Sequence, residues 1–164
     1  MTLLEKCRKW HEAGQFPKII EALEALGEDG RTPELASELA RAYNNEADPN
    51  TPEGRRMLHR AIELLEPHEE ALGATYLWNF RLGYAYYYLD QEGRALSRFR
   101  RAHEAKPEDE DAKEFMEDCL KRVTLPFFRV PFRERTQKAW TAFEGEEAEI
   151  RAMMDADKTH ESGE

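Results

Sequence analysis

Glycine and proline in this sequence gather at the edges of stretches with a helical apolar rhythm, rather than recurring every eight to twelve or so residues as turn residues do between strands. An all-α chain is the only class that fits. Thr32-Pro33-Glu34 and Thr51-Pro52-Glu53 each offer a hydroxyl N-cap, a proline at the first helical position and an acid in the first turn, so a helix is expected to start at both. Gly14, the run Gly27-Glu28-Asp29-Gly30, the polar stretch 44–50, Pro67 and Pro107 mark stops or turns. The segments between are about 12 to 16 residues long, ordinary for globular helices.

Within residues 76–109 the spaced residues Leu82, Gly83, Tyr86, Ala95, Phe99, Ala102 and Pro107 resemble the tetratricopeptide repeat, a unit of about 34 residues made of two antiparallel helices. Small residues at Gly83, Ala95 and Ala102 would let helices approach, and Tyr86 and Phe99 would fill the space between them. Setting Tyr86 over Trp10 brings Gly14 onto the turn and Ile19, Leu23 and Leu26 onto packing positions, a divergent first repeat over residues 3–29. Setting it over Tyr43 puts Leu39 and Ala40 beneath Leu82 and Gly83, with the second helix, carrying Leu58, Ala61, Ile62 and Leu65, delayed by an insertion at 46–50. The position of the family's large first-helix residue falls on Asn79, with Trp78 one place early. The resemblance implies a right-handed solenoid of antiparallel helix hairpins over residues 1–123, closed by a polar-backed capping helix at 108–123 with Ala112, Phe115, Met116, Cys119 and Leu120 inward.

Residues 124–132 hold Pro126 and Pro131 among Leu125, Phe127, Phe128 and Val130, and are expected to be an extended connector. Residues 133–155 read as an extra amphipathic C-terminal helix, its stripe made of Phe132, Ala139, Trp140, Phe143, Ile150 and Met154, with a frayed polar tail at 156–164. Docking of this helix on the capping helix as far as Phe143 is expected, with weak homodimer contacts through Ile150 and Met154. Residues 132–143 also look like a stretch found after such repeats in longer bacterial proteins. On that resemblance the chain is the N-terminal, regulatory or substrate-docking part of a protein whose activity lies further on.

Composition excludes several functions. With 24 basic against 34 acidic residues the net charge is −10, so nucleic acid is not an expected partner. No stretch approaches the roughly 18 apolar residues of a membrane span, and charge at Glu5 and Lys6 breaks any signal-peptide core, so a cytoplasmic protein is expected. Cys7 and Cys119 have no metal-ligand spacing and are expected reduced and buried. There is no phosphate loop, nucleophile elbow or His-Glu-x-x-His pair, so the chain is read as no enzyme, without cofactor or metal. His59 and Glu63 stand at i, i+4 as a solvated pair, and the acids 108–111 lack the alternation and glycine of a calcium loop. Arg94, Arg98, Arg100 and Arg101 are expected to pair with acids such as Glu92 and Glu104; a second basic group is Arg129, Arg133, Arg135 and Lys138.

In tetratricopeptide domains the first helix of each repeat lines a concave groove. Carrying one set of offsets through the repeats gives Arg8 and His11, then Arg41 and Asn44, then Arg81, Tyr84 and Tyr87, with Phe80 beside them and Tyr86 assigned to the core. The resemblance implies a protein-interaction scaffold whose basic and aromatic groove takes an extended or helical peptide, acidic or aromatic-bearing. The clamp by which chaperone-binding members hold a C-terminal carboxylate falls here on Leu4, Arg8, Glu38, Leu77 and Arg81; only Arg81 matches, so a chaperone tail is not expected.

Overall fold

The computed structural model describes residues 1–129, with side chains through Thr124, and among these the chain is all-α. The expected helix 133–155, its stripe, its homodimer contacts and the tail 156–164 lie outside the described residues, as do positions 130–132 of the connector. Helix α1 spans Leu3–Glu12, α2 Phe16–Glu24, the single turn α3 Gly27–Gly30, α4 Pro33–Glu46 and α5 Pro52–Leu65. A 3₁₀ turn at Glu66–His68 and a short α6 at Glu69–Leu72 lead to α7 (Tyr76–Tyr88), α8 (Glu92–Ala105) and α9 (Glu110–Arg129).

Threonine hydroxyls start four of the helices. Thr32 Oγ1 accepts from the Leu35 N–H at 3.2 Å and Thr51 Oγ1 from the Gly54 N–H at 2.9 Å, the two starts marked by Thr-Pro-Glu. Thr75 caps α7 through the Trp78 N–H, and at α1 Thr2 and Glu5 satisfy each other's backbone N–H groups in a capping box.

The turn between α1 and α2 is built a second time between α7 and α8. The Gln15 N–H donates to the Trp10 carbonyl at 2.8 Å and the Gly14 N–H to His11 at 2.9 Å; Gln91 donates to Tyr86 at 2.9 Å and Asp90 to Tyr87 at 3.1 Å. Both turns need a left-handed residue, Gly14 at φ 70° in the first and Asp90 at φ 61° in the second. Asp is among the few side chains that tolerate this conformation.

Each hairpin packs on the next: α1 and α2 against α4, α4 and α5 against α7, and α8 against α9. Leu23, Leu39, Leu58, Leu65, Leu82, Leu96 and Phe99 fill the shared core. Gly83 lets the Phe99 ring lie against the α7 backbone, since a Cβ there would stand 3.1 Å from it, and Phe115 of α9 stacks on the same ring at 4.7 Å between centroids. Trp78 and Asn79 are both buried: the Trp78 indole N–H donates to the Leu65 carbonyl at 2.8 Å, while Asn79 Nδ2 donates to the carbonyls of Gly73 and Thr75. Cys7 and Cys119 are free and buried.

The connector expectation is corrected for residues 124–129, which continue α9 as helix to Arg129. Pro126 withdraws a single donor, the one the Arg122 carbonyl would have received, and the bonds on either side carry the helix past it.

Two glycine substitutions separate conformational from steric need. Alanine at Gly14 meets nothing within 4 Å, so Gly14→Ala should cost only the left-handed penalty, about 1 kcal/mol. Alanine at Gly54 would set its Cβ 1.7 Å from the Asp48 carbonyl oxygen, and Gly54→Ala should cost about 3 kcal/mol or more. Urea unfolding of both variants checks the order; an equal loss would contradict it.

Candidate functional site

The first helices of the three hairpins, α1, α4 and α7, face one groove of about 530 Å³, closed at its far end by the start of α9. From α1 come Arg8, His11 and Glu12; from α4 Glu38, Arg41, Asn44 and Asn45. Helix α7 supplies Tyr76, Leu77, Phe80, Arg81 and Tyr84, and Asp109 and Asp111 complete the rim.

The deepest group is an ion pair. Arg81, 5% exposed, donates from Nη2 to Glu38 Oε1 at 3.1 Å and from Nη1 to Ser37 Oγ at 2.7 Å, and Glu38 is itself 5% exposed. Asn44 Nδ2 donates to the Arg81 backbone carbonyl at 3.0 Å, a second tie between α4 and α7. Burial pulls the Arg81 guanidinium below its usual value and Glu38 opposes that pull. Arg41 stands 3.6 Å from Glu38 Oε2, beyond hydrogen-bond length, so that buried oxygen accepts no bond, and neither does Asn44 Oδ1.

His11 lies against Phe16, with ring centroids 5.2 Å apart, and its buried Nδ1 has no partner. Burial, reinforced by Arg41, lowers its pKa below the ordinary histidine value. At the opposite rim the Tyr76 hydroxyl donates to Asp109 Oδ1 at 2.9 Å and Lys106 lies over the Tyr76 ring. That hydroxyl bond holds the Asp109 carboxyl below its usual range, and burial raises the Tyr76 phenol. Between the rims lie Phe80, half-buried Tyr84 and Leu77, which is 52% exposed. Tyr84, beside Tyr88 at 4.6 Å, is pushed up to about 12 by burial and that neighbour.

Of the eight residues expected from the offsets, Arg8, His11, Arg41, Asn44, Phe80, Arg81 and Tyr84 line this groove. Tyr87 does not. Its hydroxyl donates to Asp118 at 2.6 Å, its ring meets Phe115 edge-on, and Arg122 lies over it at 5.0 Å. The offset that places His11 and Asn44 at the groove puts Tyr87 beneath α9, which covers α7 where another first helix would stand. Arg81 also departs from expectation: its guanidinium is committed to Ser37 and Glu38 rather than free to fork a ligand. Tyr86 is buried and bonds Glu66 at 2.9 Å.

Sequence reasoning missed Glu38 as the partner of Arg81, although a signal existed. The spacing of 43 residues that sets Leu39 and Ala40 beneath Leu82 and Gly83 also sets an acid beneath an arginine. Asp109 and Asp111 were missed because they join the groove only through the path of the α8 to α9 turn, and Tyr76 because it opens α7 outside the offsets carried from repeat to repeat.

Outside the groove, Arg100 pairs with Glu104 at 2.6 Å, Arg98 lies over Trp78 near Glu69, Arg94 lies over Tyr86, and Glu92 faces Arg122 at 3.9 Å. Among the described residues no group of three or more His, Cys, Asp or Glu could hold a metal ion, and no helix is long and apolar enough to cross a membrane.

The lowered pKa of His11 makes a signed prediction. Its folded value lies below the unfolded one, so its contribution to stability is complete above about pH 6.5 and is lost as pH falls through the lower folded value. Thermal melts across this range should show a shallower acid-side fall for His11→Gln than for the wild type, and Arg41→Gln should raise the His11 midpoint seen by NMR. Identical pH slopes for wild type and His11→Gln would contradict this. No protein-family model matches the chain, and no curated protein or solved structure matches it either, so a reading of its function rests on the geometry above.

Proposed function

We propose that this chain is a tetratricopeptide-like, right-handed helical-repeat module that binds a peptide segment of another protein along the groove of α1, α4 and α7, and that it is not itself an enzyme. The observation that carries the reading is the groove itself, lined by the first helix of three successive hairpins and floored by Leu77, Phe80 and Tyr84. A half-exposed leucine beside aromatic rings is the kind of anchor site that peptide side chains bury against. The twice-built turn and the 43-residue spacing of Glu38 and Arg81 support a repeat origin for these helices. Arg8, exposed and without an ion pair among the described residues, and Arg41 supply charge at the rim for a partner's carboxylates.

Peptide phage display against the full chain, followed by calorimetric titration of the selected peptides, tests the reading. Leu77→Glu alters an exposed side chain and should leave the fold intact while weakening the selected peptides about tenfold or more, a loss of at least about 1.4 kcal/mol. A selection that yields no binder, or binders indifferent to Leu77→Glu, would contradict it.

A further inference from the structure

The three walls of the groove are unequally rooted. Helices α4 and α7 each bury seven residues, whereas α1 buries Cys7 alone, with Leu3 and Trp10 partly covered. Its neighbour α2 packs on α4 in its own right, with Ile19 and Leu23 buried. Between α1 and α2 lies the turn at Gly14, exposed and left-handed at φ 70°. The 10 residues of α1 are too few to hold a helix in water without a face to pack on, so α1 exists by its docking and melts when undocked. It is the wall that opens at least cost.

His11 closes that wall. Its ring lies on Phe16 of α2, and its Nδ1 is buried without a partner. Whichever nitrogen holds the hydrogen in the neutral ring, the charged ring carries one on both, so proton uptake sets an N–H at Nδ1 with no acceptor, and adds a charge, at a packed surface. The charged groups around it are Arg8 and Glu12 on α1, Glu38 and Arg41 on α4, and Arg81 on α7, while α2 presents the Phe16 ring. Glu38 is already shared between Arg81 and Arg41, and Glu12 is exposed, so the two carboxylates do not cancel what burial and Arg41 impose. The carbonyl end of α1 favours a cation there, yet burial, then Arg41, hold the His11 pKa below the ordinary histidine value. His103 also has a buried Nδ1 without a partner, but it stands on α8, which buries seven residues.

We propose that His11 is an acid-operated release for α1: proton uptake by its ring undocks α1 from α4 about the Gly14 turn and removes one wall of the groove, while α2, α4, α7 and α8 stay folded. Undocking returns the ring to water, where it takes a proton more readily, so a proton favours the open form. The working range is the one in which histidine titrates while carboxylates, with ordinary values near about 4, stay charged. Above it the docked helix holds Arg8 at the rim; below it Arg8 leaves with α1 and Cys7 is uncovered. Loss of a bound peptide on acidification rests on the peptide-groove reading, whereas the opening of α1 does not.

Hydrogen exchange of the full chain, read by mass spectrometry at about pH 7.5 and about pH 5.5 with labelling times scaled to the intrinsic rates, tests this. The amides of α1 should lose protection about twofold or more at the lower pH, while those of α4, α7 and α8 keep theirs. In the same step Cys7 should gain reactivity toward a dipyridyl disulfide, relative to a free thiol at each pH, and Cys119 should not. His11→Gln should abolish both changes, Arg41→Gln should move their midpoint to higher pH, and His103→Gln should leave them as in the wild type. Peptides selected at about pH 7.5 should bind the wild type more weakly at about pH 5.5 and His11→Gln equally at both. Protection lost evenly through all helices, or an α1 step that persists in His11→Gln, would overturn the release. If α1 opens as expected and peptide binding ignores it, the groove reading falls while the release stands.

Discussion

The pairing of Arg81 with Glu38 is the contact on which the rest of the molecule's working surface depends. Two charges have been taken almost wholly out of water, which is costly unless the geometry is good and further hydrogen bonds satisfy the remaining groups. Here Ser37 takes the second arm of the guanidinium, and Asn44, about two turns further along α4, reaches the Arg81 carbonyl. Apolar contacts alone would tolerate small slides between α4 and α7. A buried ion pair with these partners has one productive register, and that register sets Arg41, Asn44, Phe80 and Tyr84 beside one another.

The same pair decides which charges remain for a partner. Had Arg81 been free, the groove would present a continuous basic strip. With Arg81 neutralised in the floor, the outward charges are mixed, Arg8, Arg41 and Glu12 on α1 and α4 at one side and Asp109 and Asp111 around the start of α9 at the other. Helix α9 therefore does more than cover the apolar end of α8. Its opening turn brings Asp109 to the Tyr76 hydroxyl, and its body takes Tyr87 away from the groove through Phe115 and Asp118.

Local rules were legible in the amino-acid sequence where the physics is local. Thr32-Pro33 and Thr51-Pro52 begin helices because a hydroxyl cap and a preset φ act within one turn. Gly14 ends a helix because the left-handed turn needs it, and the same logic hides at Asp90, where the residue type gives a weaker signal. What depends on a neighbouring element was less legible. Trp78 reads as one residue out of register until the Leu65 carbonyl at the end of α5 is seen to take its indole proton. Tyr87 has the same spacing as Asn44, yet its fate is set by α9, which the offset alone does not include. Pro126 removes one donor, yet α9 runs through it to Arg129.

The most direct measurement is a double-mutant cycle on the buried pair, with Glu38→Leu, Arg81→Met and both together in the full chain, followed by urea unfolding. Either single change strands a buried charge and should cost about 3 to 5 kcal/mol, while the double variant should lose well under the sum, a coupling of more than about 1 kcal/mol. Additive losses would mean that Glu38 and Arg81 do not hold α4 to α7, and the groove would need another explanation for its shape.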